Sequence, residues 1–270
     1  MSKRWRILAV ATILWAVLLP GAANAATYTF SAAGKIAYEK MNASAETAVR
    51  TRIQAQYAEL QSLEMKGEET DKRTYELHDR NELALKAVKL RIKAIDEAAI
   101  AKLDGQVKSA QAKYKPLFDS YTALNKRAEA ARKLKNKEVN AALKLQTDIM
   151  KVTVQLARDD IRAKQDKLKL AKNAAASKAK RAKEPLAAID SYKPRIQAEK
   201  RAASTAKSAG KTLWSSFNAA AKKSNSADAS SHLAGLLKLA GQTNAAKQNQ
   251  YALEQKIADA IARAETLAAA

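Results

Sequence analysis

Two histidines, His78 and His232, are the only imidazoles in the 270-residue chain, and they lie far apart in sequence with no second histidine at helical spacing. A histidine-rich metal site is therefore excluded. His78 is followed by Asp79 and flanked by Glu76 and Glu82. Residues four apart share a helix face, so one turn offers ligands in principle; charges this dense, however, usually form a solvated helix surface. Adjacent acids occur at Glu68-Glu69, Asp96-Glu97 and Asp159-Asp160. Neighbours on a helix project about 100° apart, so such pairs do not converge on one proton. Glu68 and Glu69 precede an expected helix start, where the dipole favours negative charge, and Asp159-Asp160 is flanked by Arg158 and Arg162. The chain has no cysteine, which rules out thiolate chemistry. It has no G-x-S-x-G, Walker or Rossmann pattern, and too few glycines to build a phosphate-cradling loop. We therefore expect no enzyme: no catalytic residue, no metal ligand, no cofactor-binding residue and no cofactor.

The signal that remains is charge. The formal net charge is +22, and +19 without residues 1–25, which carry Lys3, Arg4 and Arg6. Residues 26–106 are balanced, with 13 basic and 13 acidic groups, whereas residues 107–184 hold 21 basic and 8 acidic groups. The densest run is Lys172, Lys178, Lys180, Arg181 and Lys183, set among alanines and Ser177, and these five are the candidate polyanion-binding residues. The composition of this stretch resembles that of linker-histone tails. Such cations can neutralise the phosphates of nucleic acid, teichoic acid or lipid headgroups; they can equally be a solvated helix end. No aromatic residue lies between Tyr121 and Tyr192, so the patch lacks the stacking platforms of single-strand recognition.

The elements that carry these residues are expected to be helices throughout. Ala, Lys, Leu, Glu and Gln dominate and Gly and Pro are scarce, which favours an all-α fold of long antiparallel hairpins in an elongated coiled-coil bundle. One helix is expected from about Ser31 to Lys66, ended by Gly67, and a second from a cap at Thr70 or Asp71, with the stripe Leu85, Val88, Ile92, Ile95, Ala99, Leu103, Val107, Ala110 and Tyr114. A third is expected from Pro116 to Lys183, roughly 100 Å if unbroken. Its stripe is Leu117, Tyr121, Leu124, Ala128 and Ala131, then Ala142, Leu145, Ile149, Val152, Leu156, Ala163 and Leu170. These 3,4 spacings predict a packed seam, within the chain or with other chains. Pro185 and Pro194 mark a joint, Ser224 to Asp228 a linker, and Gly241 a stop between two short C-terminal helices. Trp214 and Phe217, beside Leu213, are expected to anchor packing. A faint repeat relates Tyr114-Lys115-Pro116 to Tyr192-Lys193-Pro194.

At the start, Lys3, Arg4 and Arg6 precede the 13-residue apolar run Ile7 to Leu19, then Pro20, Gly21 and Ala23-Asn24-Ala25. This is the pattern of a cleavable signal peptide over residues 1–25, since the run is shorter than the roughly 20 residues of a spanning helix. The remaining organisation is a three-helix coiled-coil region over 26–184 and a smaller helical region over 185–270, with no membrane span. The expectation for function is a secreted, bacterial, non-enzymatic structural or interaction protein of the cell envelope or extracellular matrix. Its partner would be an anionic cell-surface polymer, with extracellular DNA or teichoic acid binding as the alternative and self-association through the seams possible in principle. A helical cytolysin is disfavoured, because no apolar hairpin is visible to insert.

Overall fold

The structure, a computed structural model, describes residues 28–133 and 135–270. The expected signal peptide and its cleavage after Ala25 lie outside the described residues. Five helices occupy almost all of these residues: α1 (Ala32–Ser44), α2 (Thr47–Lys93), α3 (Glu97–Lys133), α4 (Lys137–Lys222) and α5 (Ser226–Ala269). No strand is present among the described residues, so the fold is all-α. No helix there is long and apolar enough to cross a membrane.

The breaks fall elsewhere than glycine and proline suggest. α2 runs through Gly67, α3 through Pro116, α4 through Pro185 and Pro194, and α5 through Gly241. A glycine costs a helix about 1 kcal/mol and an interior proline about 3, whereas each large apolar side chain buried contributes roughly 1.5–3. On α4 the residues Ala182, Ile189 and Ile196 are buried on both sides of the two prolines, so packing carries the helix across them. The chain turns instead at Asp96, Lys135 and Ser224, which adopt φ of 55°, 54° and 56°. A left-handed residue ends a helix, and here residues other than glycine supply it. After Lys135 and Ser224 the next helices start on polar caps. Asn136 Oδ1 accepts from the Val139 N–H at 3.1 Å, and Asn225 Oδ1 from the Asp228 N–H at 3.1 Å. The Ser224 to Asp228 string is thus a tight turn and a cap.

The chain divides into two compact units. The first comprises the described residues up to Glu68 with Lys207–Gly241. Its core joins Met41 of α1, Ile53 and Leu60 of α2, Phe217 of α4, and Leu233 and Leu236 of α5. Tyr28, Phe30, Tyr38, Tyr57, Trp214 and Phe217 form a continuous aromatic cluster, with Phe30 and Trp214 centroids 4.9 Å apart and Trp214 and Phe217 5.1 Å apart. Phe217 is fully buried, so the Trp214–Phe217 pair does anchor packing.

The second unit comprises Glu69–Ala206 and Gln242–Ala270. One part is a three-helix core of Leu85, Val88 and Ile92 from α2, Ala182, Ile189 and Ile196 from α4, and Leu253, Ile257 and Ile261 from α5. In the other part α3 and α4 form an antiparallel hairpin. Asp96 meets Lys178, Tyr114 reaches the Asp160 carboxylate and helps hold its pKa down, and Phe118 and Ile161 line one cavity, an approach whose sequence separation shrinks toward the turn at Lys135. On α3 the buried and half-buried face is Val107, Ala110, Tyr114, Leu117, Tyr121, Leu124, Ala128 and Ala131, the stripe read from spacing. On α4 the stripe read from spacing is on the wrong side. Val154, Ala157 and Leu168 are buried, while Leu145, Ile149 and Val152 are each 63% exposed and Leu156 66%. The turn at Lys135 resets the register, so a stripe carried across it from α3 lands on the outer face of α4.

Candidate anion-binding groove

Helical geometry separates the five basic residues of the Lys172–Lys183 run. At about 100° per residue, Lys172 and Lys183 point within roughly 20° of each other, while Arg181 points to the opposite side. Lys178 lies on the other flank of the packed face, with its Nζ 3.5 Å from Asp96 Oδ2. Lys172 faces α3 as well. The Asp104 carboxyl is held below its ordinary value, first by a hydrogen bond from Lys108 and to a lesser degree by the charge of Lys172. Two of the five cations therefore face acids of the hairpin. Lys180, Arg181 and Lys183 are exposed and make no ion pair with the described residues.

Lys183 belongs to a more organised feature. In the second unit, α2 and α4 enclose a groove of about 420 Å³ whose apolar wall includes Leu85, Ile92, Leu186 and Ile189. Lys89 and Lys93 of α2 and Lys183 and Lys193 of α4 line the same groove, with Asp190 as its one acid. All four lysines are exposed. The apolar wall is made by the seam residues that build the three-helix core, and the lysines are the positions flanking that seam. Long lysine stems cover such a wall while holding the ammonium in water. The arrangement suits a ligand with anionic groups spaced along an apolar or sugar backbone.

A smaller cavity of about 180 Å³ adjoins it, sharing Leu85, Ile189 and Lys193. It is lined also by His78, Asn81 and Glu254. Glu254 is only 2% exposed. Its Oε2 accepts from Asn81 Nδ2 at 2.8 Å, its backbone carbonyl accepts from the same Nδ2 at 2.9 Å, and its Oε1 lies 2.8 Å from His78 Nδ1. His78 therefore works against a buried carboxylate on α5, not with Glu76, Asp79 or Glu82, which are exposed. Among the described residues no group of three or more His, Asp or Glu is placed to hold a metal ion.

Lys89, Lys93 and Lys193 were not legible as site residues from the sequence. Lys89 and Lys93 lie in the charge-balanced stretch 26–106, where counting by segment hides them. Their four-residue spacing beside Leu85 and Ile92 was the available signal, but which basic pair on α4 would face it depends on the packing of the two helices.

No family model, curated protein or solved structure matches this chain.

Proposed function

We propose that this is a secreted, non-enzymatic structural or interaction protein: a coiled-coil protein that associates with an anionic polymer of the bacterial cell envelope through its basic surfaces. The observation that carries the reading is the groove between α2 and α4, where Lys89, Lys93, Lys183 and Lys193 converge over an apolar wall. A core does not require four lysines at one place, and Asp190 alone leaves most of their mutual repulsion to be offset by an external anion. Support also comes from the 21 basic against 8 acidic groups of residues 107–184, which extend a positive field along the same unit. Teichoic acid matches the groove better than DNA does, because its phosphates are spaced along a flexible chain that can follow a channel walled by Leu and Ile. DNA binding stays as the alternative reading, supported by the overall charge alone.

Retention of the purified protein on immobilised teichoic acid and on duplex DNA, measured from low to high salt, tests this. Binding that releases counterions weakens linearly in log–log terms, with a slope near the number of phosphates neutralised. Changing Lys89, Lys93, Lys183 and Lys193 to Gln should flatten that slope by about three to four on teichoic acid, since Gln preserves helicity. Changing Lys172, Lys178, Lys180, Arg181 and Lys183 should have a smaller effect, because Lys172 and Lys178 already face acids. Retention indifferent to salt and to both sets of substitutions would overturn the polymer-binding reading.

A further inference from the structure

The outer face of α4 carries Leu145, Ile149, Val152 and Leu156, each more than three-fifths exposed, with Val139 44% exposed nearby. Their 3,4 spacing extends back to Ala142 and, past Asp159, resumes at Ala163, so the four occupy consecutive a and d positions of a heptad. The face that α4 packs against α3 is made of other residues, Val154, Ala157 and Leu168, roughly opposite on the helix. α4 is therefore apolar on two faces, and only one is covered within the unit. We propose that the uncovered stripe is an interface between two copies of this chain, paired antiparallel through α4 about a two-fold axis passing between Ile149 and Val152.

Three observations select a second copy as the occupant. The spacing calls for a partner helix with the same repeat, and the stripe is complementary to itself when reversed: Leu145 meets Leu156 and Ile149 meets Val152, a against d in each layer. The charge also fits. Residues 138–161 hold three basic and four acidic groups in a chain of net charge +22, so this is the stretch where two strongly basic molecules can approach without repulsion, and an anionic polymer has nothing to hold. In the antiparallel register the flanking positions pair Asp148 with Gln155 and Gln146 with Thr153, so no like charges meet. A parallel pair would instead bring Asp159 against its own copy in the seam, whereas reversal places Asp159 opposite Ala142. The size sets the strength. Pairing from Glu138 to Ala163 engages roughly 15 residues a side at a, d and flanking positions, below the 20–30 of a standard interface, so the dimer is weak and concentration-dependent. An isologous contact of this kind closes at two chains.

Sedimentation equilibrium of the purified full chain, from low micromolar to near-millimolar concentration, should show the mass rising from one chain toward two. High salt should leave the association unchanged or stronger, because the central layers of the seam are apolar and the stretch is close to neutral. Ile149→Glu with Val152→Glu should weaken association by roughly tenfold or more while leaving the thermal melt of the dilute protein in place. Orientation is read by disulfide trapping, since the chain has no cysteine of its own. Leu145→Cys mixed with Leu156→Cys should cross-link, and Leu145→Cys alone should not. A single chain at every concentration, a mass climbing past two, association that appears only with added polyanion, survival of the Glu pair, or trapping of Leu145→Cys with itself would each overturn the proposal. The groove is tested separately, by retention on an immobilised polymer.

Discussion

Glu254 and Ile149 mark the two kinds of residue whose environment is set by distant parts of the chain. Glu254 is buried and yet fully engaged, because Asn81 donates to both its carboxylate and its backbone carbonyl while His78 meets the second carboxylate oxygen. Buried polar groups persist when each has a partner, and here partners from α2 serve a residue of α5. Ile149 is the reverse case, an aliphatic residue at a seam spacing that faces water. The two positions Ile149 and Val154 should therefore respond oppositely to the same change. Ile149→Asp is expected to shift the melting temperature of dilute protein little, since a surface substitution usually changes stability by less than about 0.5 kcal/mol. Val154→Asp puts an unpaired carboxylate into the α3–α4 seam, at a cost of about 3–5 kcal/mol. Thermal denaturation of the two variants side by side checks this, and equal losses would mean that the hairpin does not pack as described.

The helices show why scarce glycines and prolines are poor guides to where an element ends. The helices that cross a Gly or Pro gather enough buried contacts to outweigh its local cost, and α3 and α4 end where a left-handed residue is followed by a polar cap. Glycines within helices then differ by what surrounds them. Around Gly105 and Gly241 a β-carbon would meet nothing, so replacing either by Ala should stabilise by about 0.5–1 kcal/mol through helix propensity. Gly210 faces the phenol of Tyr28 so closely that a β-carbon there would collide with its hydroxyl. Gly210→Ala should therefore destabilise despite the same propensity gain. Tyr28 at that position also has its pKa raised, first by burial and then by the nearby Glu64 charge, in line with a ring held inside the core of its unit. Chemical denaturation of the three alanine variants separates propensity from packing, and a stabilising Gly210→Ala would show that Tyr28 does not hold this contact.

At the scale of the whole molecule the governing quantity is charge. With a sequence pI near 10.0, the chain stays cationic through the neutral range. Association with a phosphate polymer should therefore persist across the neutral pH range and weaken steeply as salt rises, because neutralising phosphates releases condensed counterions. Retention on teichoic acid at neutral pH across a salt series checks it; retention that ignores salt would displace the lysine groove from its role.

Composition alone determined the helical class, because residues that lose little freedom in a helix crowd the chain and breakers are few. Spacing marked the packed stripes Leu85 to Ile92 and Val107 to Ala131 but not their helices, because the turn at Asp96 splits the stripe expected from Leu85 to Tyr114 and α3 runs on through Pro116. The basic bias of residues 107–184 and the absence of catalytic motifs were equally plain from the residues themselves. What only tertiary structure decided is which cations converge and which stripe of α4 is covered. Lys89 and Lys93 come opposite Lys183 and Lys193 through the packing of two helices about a hundred residues apart in sequence. The covered face of α4 is set by a turn at Lys135, where a residue that normally favours right-handed backbone takes φ of 54° and shifts the helical register. Periodicity records how residues share a face of one helix, and it carries no information about which face the partner helix will meet.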